Sequence, residues 1–123
     1  PLIKPMKKKI LCFDLDGVIC KTYKKDYLKA KPKIKVINLI NQLYDDYKIK
    51  IYTARYMGRN NDNARLAKKQ GYKSTFRQLK KWGLNFHELK LGKTSYDLII
   101  DDKALGFKDN WYVNIKKVLK KIN

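Results

Sequence analysis

The chain has 123 residues and carries 30 Lys and Arg against 11 Asp and Glu, a formal net charge of +19. That length suits one domain with a single core, over residues 1–123, with Pro1 to Pro5 read as a remnant ahead of a native Met6. No apolar stretch approaches the ~20 residues of a membrane span. No apolar signal segment follows Met6, and two cysteines, Cys12 and Cys20, are too few for a disulfide scaffold, so a reduced, cytoplasmic protein is expected.

The first predicted element is a short buried strand over Ile10 to Phe13, running into Asp14-Leu15-Asp16-Gly17. Gly17 lets the backbone turn away, and two carboxylates crowd the strand's C-terminal edge, where ligands of open parallel sheets bind. Such a pair costs energy unless a cation or a function holds it together, although solvated turn aspartates use the same residues. A polar loop from Cys20 to Lys31 follows, and Pro32 opens a helix whose apolar positions include Ile34, Ile37, Ile40 and Leu43. A second strand, Ile49 to Tyr52, ends in Thr53-Ala54-Arg55.

Beyond a Gly58 to Asp62 loop, two helices are predicted, one from about Asn63 to Gln70 closed by Gly71, the other from about Ser74 to Trp82 with Gly83 as its stop. A short strand near Phe86 to Leu91 precedes Gly92-Lys93. A further strand, Tyr96 to Ile100, ends in Asp101-Asp102. Trp111 to Val113 reads as a last edge strand, and Ile115 to Lys121 as a C-terminal helix. Alternating strands and helices predict a three-layer α/β domain with a central parallel sheet.

In chain order this gives a strand ending in Asp-x-Asp, a strand ending in Thr, a Lys, and a strand ending in Asp-Asp. Together they resemble the four motifs of the haloacid dehalogenase (HAD) superfamily of phosphohydrolases, over roughly Lys9 to Trp111. The resemblance implies a Rossmann-like fold. The gaps from Asp16 to Thr53 and from Thr53 to Lys93 are too short for the inserted cap domain of many members, so a capless core is expected. It further implies Asp14 as nucleophile, forming an aspartyl-phosphate, and Asp16 as general acid and base. Thr53 and the Ala54 N–H would bind phosphoryl oxygens, and Lys93 would supply positive charge (Lys90 competing for that role); Mg²⁺ would take oxygens from Asp14, the backbone carbonyl of Asp16 and Asp101, with Asp102 joining it through water or orienting Lys93. Arg55 would read a substrate anion or pair with Asp102, and His87, far from any motif, is expected in a surface or packing role.

The stretches Thr53 to Arg55, Phe76 to Gly83, Leu91 to Lys93 and Ile100 to Ala104 are similar to small capless proteins of bacterial capsule and surface-polysaccharide biosynthesis. That likeness implies a phosphorylated sugar or related intermediate as substrate. Polynucleotide or phosphoprotein phosphatase activity is the alternative. A basic nucleic-acid-binding domain with a relic site is the non-enzyme rival. Against it, the basic residues are 26 Lys and 4 Arg spread over the whole chain, and Ile, Asn and Tyr are also abundant, as A/T-rich codons would produce. A solvated basic surface that attracts anionic substrates is therefore favoured over a nucleic-acid groove. A homo-oligomer that closes the uncapped site is the further expectation for a small substrate, and an open monomer for a large one.

Overall fold

The structure, a computed structural model, describes residues 7–123. Pro1 to Pro5 and Met6, read above as a remnant and a native start, lie outside the described residues. Three strands, β1 (Ile10–Phe13), β4 (Lys48–Thr53) and β5 (Glu88–Leu91), form a parallel sheet in the order β1-β4-β5. Cys12 stands beside Lys50, and Thr53 beside Leu91. A two-stranded antiparallel ribbon, β2 (Cys20–Lys21) with β3 (Lys31–Pro32), ties together the ends of the loop after Asp16. Two helices lie in the crossovers between the parallel strands, α1 (Ile34–Leu43) and α2 (Ala64–Lys81), and a third, α3 (Ile115–Leu119), follows near the C-terminus.

Alternation along the strands sorts the residues by face. Phe13, Ile49, Ile51, Thr53, Leu89 and Leu91 are buried, and all but Thr53 join one core with Val36, Ile37 and Ile40 of α1, Leu79 of α2, and Ile115 and Leu119 of α3. The opposite face carries Ile10, Cys12, Lys48, Lys50, Tyr52, Glu88 and Lys90, none of them buried. The expected third layer is therefore not seen among the described residues.

Three predicted elements are corrected. Residues 64–81 form one continuous helix, not two. Gly71 lies inside it because the Tyr56 ring occupies the space a side chain would need: a Cβ there would sit 2.2 Å from two ring carbons. Tyr96 to Ile100 forms no strand, and the chain from Gly92 to Lys108 is irregular. β5 delivers the chain to the C-terminal edge of the sheet, and the four residues before Tyr96 are too short a crossover to return it to the N-terminal edge. Trp111 to Val113 belongs to a 3₁₀ turn (Trp111–Asn114), since the Trp111 N–H bonds back to Lys108 and its ring packs 5.9 Å from that of Phe13.

Candidate active site

Three chain segments meet at the C-terminal edge of the sheet. Asp14 follows the last residue of β1, its Oδ1 accepting the Leu15 N–H at 2.8 Å. Thr53 is the last residue of β4, and its carbonyl accepts the Lys93 N–H at 3.2 Å, which fixes the Gly92-Lys93 turn beside β4. Gly92 takes φ +101°, and a Cβ there would approach that of Ala64 to 3.0 Å. This turn brings the Lys93 ammonium to 3.5 Å from Asp14 Oδ2. The competing Lys90 instead stands over the Tyr52 ring on the open face.

Asp14, Ala54 and Lys93, with Thr94, Ser95 and Tyr96, line a hollow of about 250 Å³. The Thr53 hydroxyl oxygen accepts the Arg55 N–H at 3.1 Å, which leaves its proton for another acceptor. Burial is the largest influence on Asp14 and raises its pKa above the ordinary carboxylate value; Lys93 pulls the other way and nearby Asp16 adds to the rise. Burial alone would lower Lys93, but the Tyr96 hydroxyl and the Asp14 carboxylate outweigh it and hold the ammonium more firmly protonated than usual.

Asp16 faces a different partner. The Arg55 side chain is wholly buried and grips its carboxylate twice, Nε to Oδ2 and Nη2 to Oδ1, both at 2.9 Å. Gln78 of α2 accepts from Arg55 Nη1 at 2.6 Å, and the Tyr27 ring lies 5.0 Å from the guanidinium carbon. The Thr22 hydroxyl and the Cys20 thiol also donate to Asp16 Oδ1. Burial would push this carboxyl up, but Arg55 and Thr22 overcome it and hold the pKa below the usual range. Arg55 thus holds Asp16 rather than Asp102, and its burial removes it from the surface where a substrate anion would be read.

The remaining predicted ligands are elsewhere. Asp101 and Asp102 are exposed, and Asp101 accepts the N–H of Lys103 at 2.9 Å. Among the described residues no three His, Cys, Asp or Glu side chains gather where they could hold a metal ion. His87 is structural, as expected: its ring stacks on Tyr44 at 4.1 Å and its Nδ1 accepts the Ile49 N–H.

Sequence reasoning missed Asp62. Its carboxylate accepts the Thr94 hydroxyl at 2.8 Å and the Ser95 N–H at 3.2 Å, pinning the backbone just after Lys93. The positions stand 32 residues apart, and no spacing rule connects them.

No protein-family model matches this chain, and no curated protein matches it. Among solved structures it is similar to the crystal structure of a structural-genomics target from Vibrio cholerae. The two share 24% identity, and the match covers 94% of this chain and 99% of that one, with a TM-score of 0.79. The likeness is one of fold.

Proposed function

We propose that this chain is a phosphomonoesterase of the HAD type, with a Rossmann-like catalytic core, acting on a phosphorylated sugar or related intermediate of surface-polysaccharide synthesis. The observation that carries the reading is the pairing of Asp14 with Lys93 in one hollow at the C-terminal edge of parallel strands, beside the Thr53-Ala54 turn. Three groups chosen from the sequence, from three separate segments, converge on a space suited to a phosphoryl group.

In this reading the phosphoryl group enters the hollow with its oxygens against Lys93, the Thr53 hydroxyl and the Ala54 N–H. An Asp14 oxygen attacks phosphorus as the bond to the leaving oxygen breaks, giving an aspartyl-phosphate. Lys93 compensates the charge on the oxygens without giving up its proton. Water then attacks phosphorus and passes a proton to a base, and the Asp14 carboxylate is released with inorganic phosphate.

The environment of Asp16 favours its ionised form, the form that takes the proton from water in the second half-reaction, but its depressed pKa makes it a weak base while Arg55 holds it. Donating a proton to the leaving oxygen requires Arg55 to loosen its grip first. Leaving groups that need no proton, such as nitrophenolate, are therefore expected to depart faster.

The donors present in one chain do not fit Mg²⁺. Among the described residues no three His, Cys, Asp or Glu side chains gather where they could hold the ion, and Asp101 and Asp102 are exposed, so Asp14 and the Asp16 backbone carbonyl lack the further carboxylate the site would need. No step above passes through the ion.

A phosphate-release screen over sugar phosphates, nucleotides and phosphorylated oligonucleotides tests the assignment. Release is expected from the first class and lost in Asp14→Asn. Turnover that survives this substitution refutes Asp14 as nucleophile.

A further inference from the structure

Two unsatisfied surfaces lie on this molecule. The first is the outer edge of β1, an end of the sheet with no strand beside it among the described residues; Ile10 is 45% exposed and Cys12 is exposed. Open strand edges with apolar side chains invite pairing with another strand. The second is the arm from Tyr96 to Phe107, where Leu98 is 78% exposed, Ile100 is 92% exposed, and Ile99, Leu105 and Phe107 also face solvent. Five exposed large apolar side chains within ten residues of one arm mark an interaction site.

The arm cannot complete its own sheet in the parallel sense. Lys93 is tied by its N–H to Thr53 and by its ammonium to Asp14, so the arm starts at the C-terminal edge. A parallel neighbour of β1 has to start at Ile10, the full length of the strand away, roughly 10 to 13 Å. Only Thr94 and Ser95 separate Lys93 from Tyr96, and both are held by Asp62. From Lys93 the arm does span about 26 to 29 Å by Asp101 when extended, enough to reach a neighbouring molecule.

Charge selects the partner. Residues 97–109 hold four of the chain's eleven acidic residues, Asp97, Asp101, Asp102 and Asp109, against Lys103 and Lys108. The open side of the sheet is basic: Lys7, Lys8, Ile10, Lys48, Lys50 and His87 line a groove of about 530 Å³ at the N-terminal edge. Copies carrying +19 repel each other in general, yet a strand that starts with Asp97 opposite Ile10 sets that carboxylate against the basic edge.

We propose that two copies exchange arms. Asp97 to Ile100 of each adds as a fourth parallel strand to the outer edge of β1 in the other, leaving Tyr96 at its own hollow, an isologous contact that uses the same two surfaces twice. The strand then ends with Asp101 and Asp102 beside the partner subunit's Asp14, and each site is built from two chains. This last step rests on the phosphatase reading and accounts for the carboxylates that a single chain does not bring to Asp14. The strand exchange itself does not depend on that reading.

Light scattering should give a mass near twice the 14.6 kDa of one chain, and Ile100→Asp should return it to one. In the parallel register Ile99 of one copy faces the partner subunit's Cys12. Ile99→Cys should therefore form a disulfide-linked dimer on mild oxidation, lost when Cys12→Ser is added; the other thiol, Cys20, is buried with its pKa pushed up to about 11. Mixing Asp14→Asn with Asp101→Asn through unfolding and refolding should restore about a quarter of wild-type turnover, because half the dimers are mixed and each holds one whole site.

A monomer at all concentrations, or a disulfide closed within one chain as antiparallel pairing would give, overturns the exchange. A cross-linked dimer that releases no phosphate from any substrate supports the exchange and strikes down the proposed function instead. An active monomer does the reverse.

Discussion

Arg55→Met tests the buried pair at the heart of the site. Methionine keeps most of the volume and removes the guanidinium, leaving Asp16 with only the Thr22 hydroxyl and the Cys20 thiol as side-chain donors. Removing one partner of a fully buried ion pair costs about 3–5 kcal/mol. Asp16 remains 26% exposed and can recover some hydration, so about 2–3 kcal/mol is the expected loss. For a chain of this size that lowers the thermal midpoint by roughly 6–15 °C.

The pH dependence sharpens the test. The folded pKa of Asp16 is depressed, so its stabilisation is fully present above the unfolded value of about 3.9 and is lost as pH falls through the lower folded value. Urea unfolding of the wild type, Arg55→Met, Asp16→Asn and the double variant, at pH 7 and near pH 3, measures this. The wild-type advantage over Arg55→Met should shrink at the acidic end. At pH 7 the double variant should cost less than the two single changes added together. Strict additivity, or an advantage that does not change with pH, refutes the claim that the pair carries the effect.

Lys93→Ala should cut turnover by about 10²- to 10³-fold, as loss of one charge-stabilising donor does. Because Lys93 opposes the upward shift of Asp14, its removal should also move the acidic limb of the kcat/KM profile to higher pH; an unmoved limb argues against contact between the two groups. Gly71→Ala should destabilise by about 1–3 kcal/mol in urea unfolding, since the new methyl collides with the Tyr56 ring, whereas an exposed helical glycine would gain stability from the same change. Binding to single- and double-stranded oligonucleotides, followed by fluorescence anisotropy, should be weak, sequence-independent and steeply salt-dependent. A base preference at physiological salt would favour the nucleic-acid reading.

The elements legible in the sequence were those whose signals are local. Ile10 to Phe13 and the strand ending at Thr53 are apolar runs closed by turns, and the repeat from Ile34 to Leu43 allows only a helix against a core. Gly71 misled because a glycine signals a helix end unless something fills the space above it, and the Tyr56 ring that does so comes from 15 residues earlier. Tyr96 to Ile100 has the composition of a strand, but composition does not supply a neighbouring edge within reach. At the site, Asp14, Thr53 and Lys93 could be placed because each follows a strand end. The grip of Arg55 on Asp16 could not, because 39 residues separate them and the contact depends on how the turn after β4 faces the ribbon.

The notch in α2 at Gly71 has a consequence for how this surface can vary. Tyr56 takes φ +68° directly after Arg55, and its ring is seated in the middle of an 18-residue helix. The turn bearing Thr53 and Ala54 is thereby indexed to a rigid rod, as a detent fixes a dial. Beyond Tyr56 the loop is tied again at Asn60, whose side chain donates to the Tyr56 carbonyl and pairs with Gln70 of α2, and at Asp62, which accepts from Thr94 and Ser95. Exchanges at the exposed Gly58 and Arg59, between these ties, can therefore change the loop's surface without turning the floor of the hollow, which frees that surface to vary independently of the turn at Thr53 and Ala54.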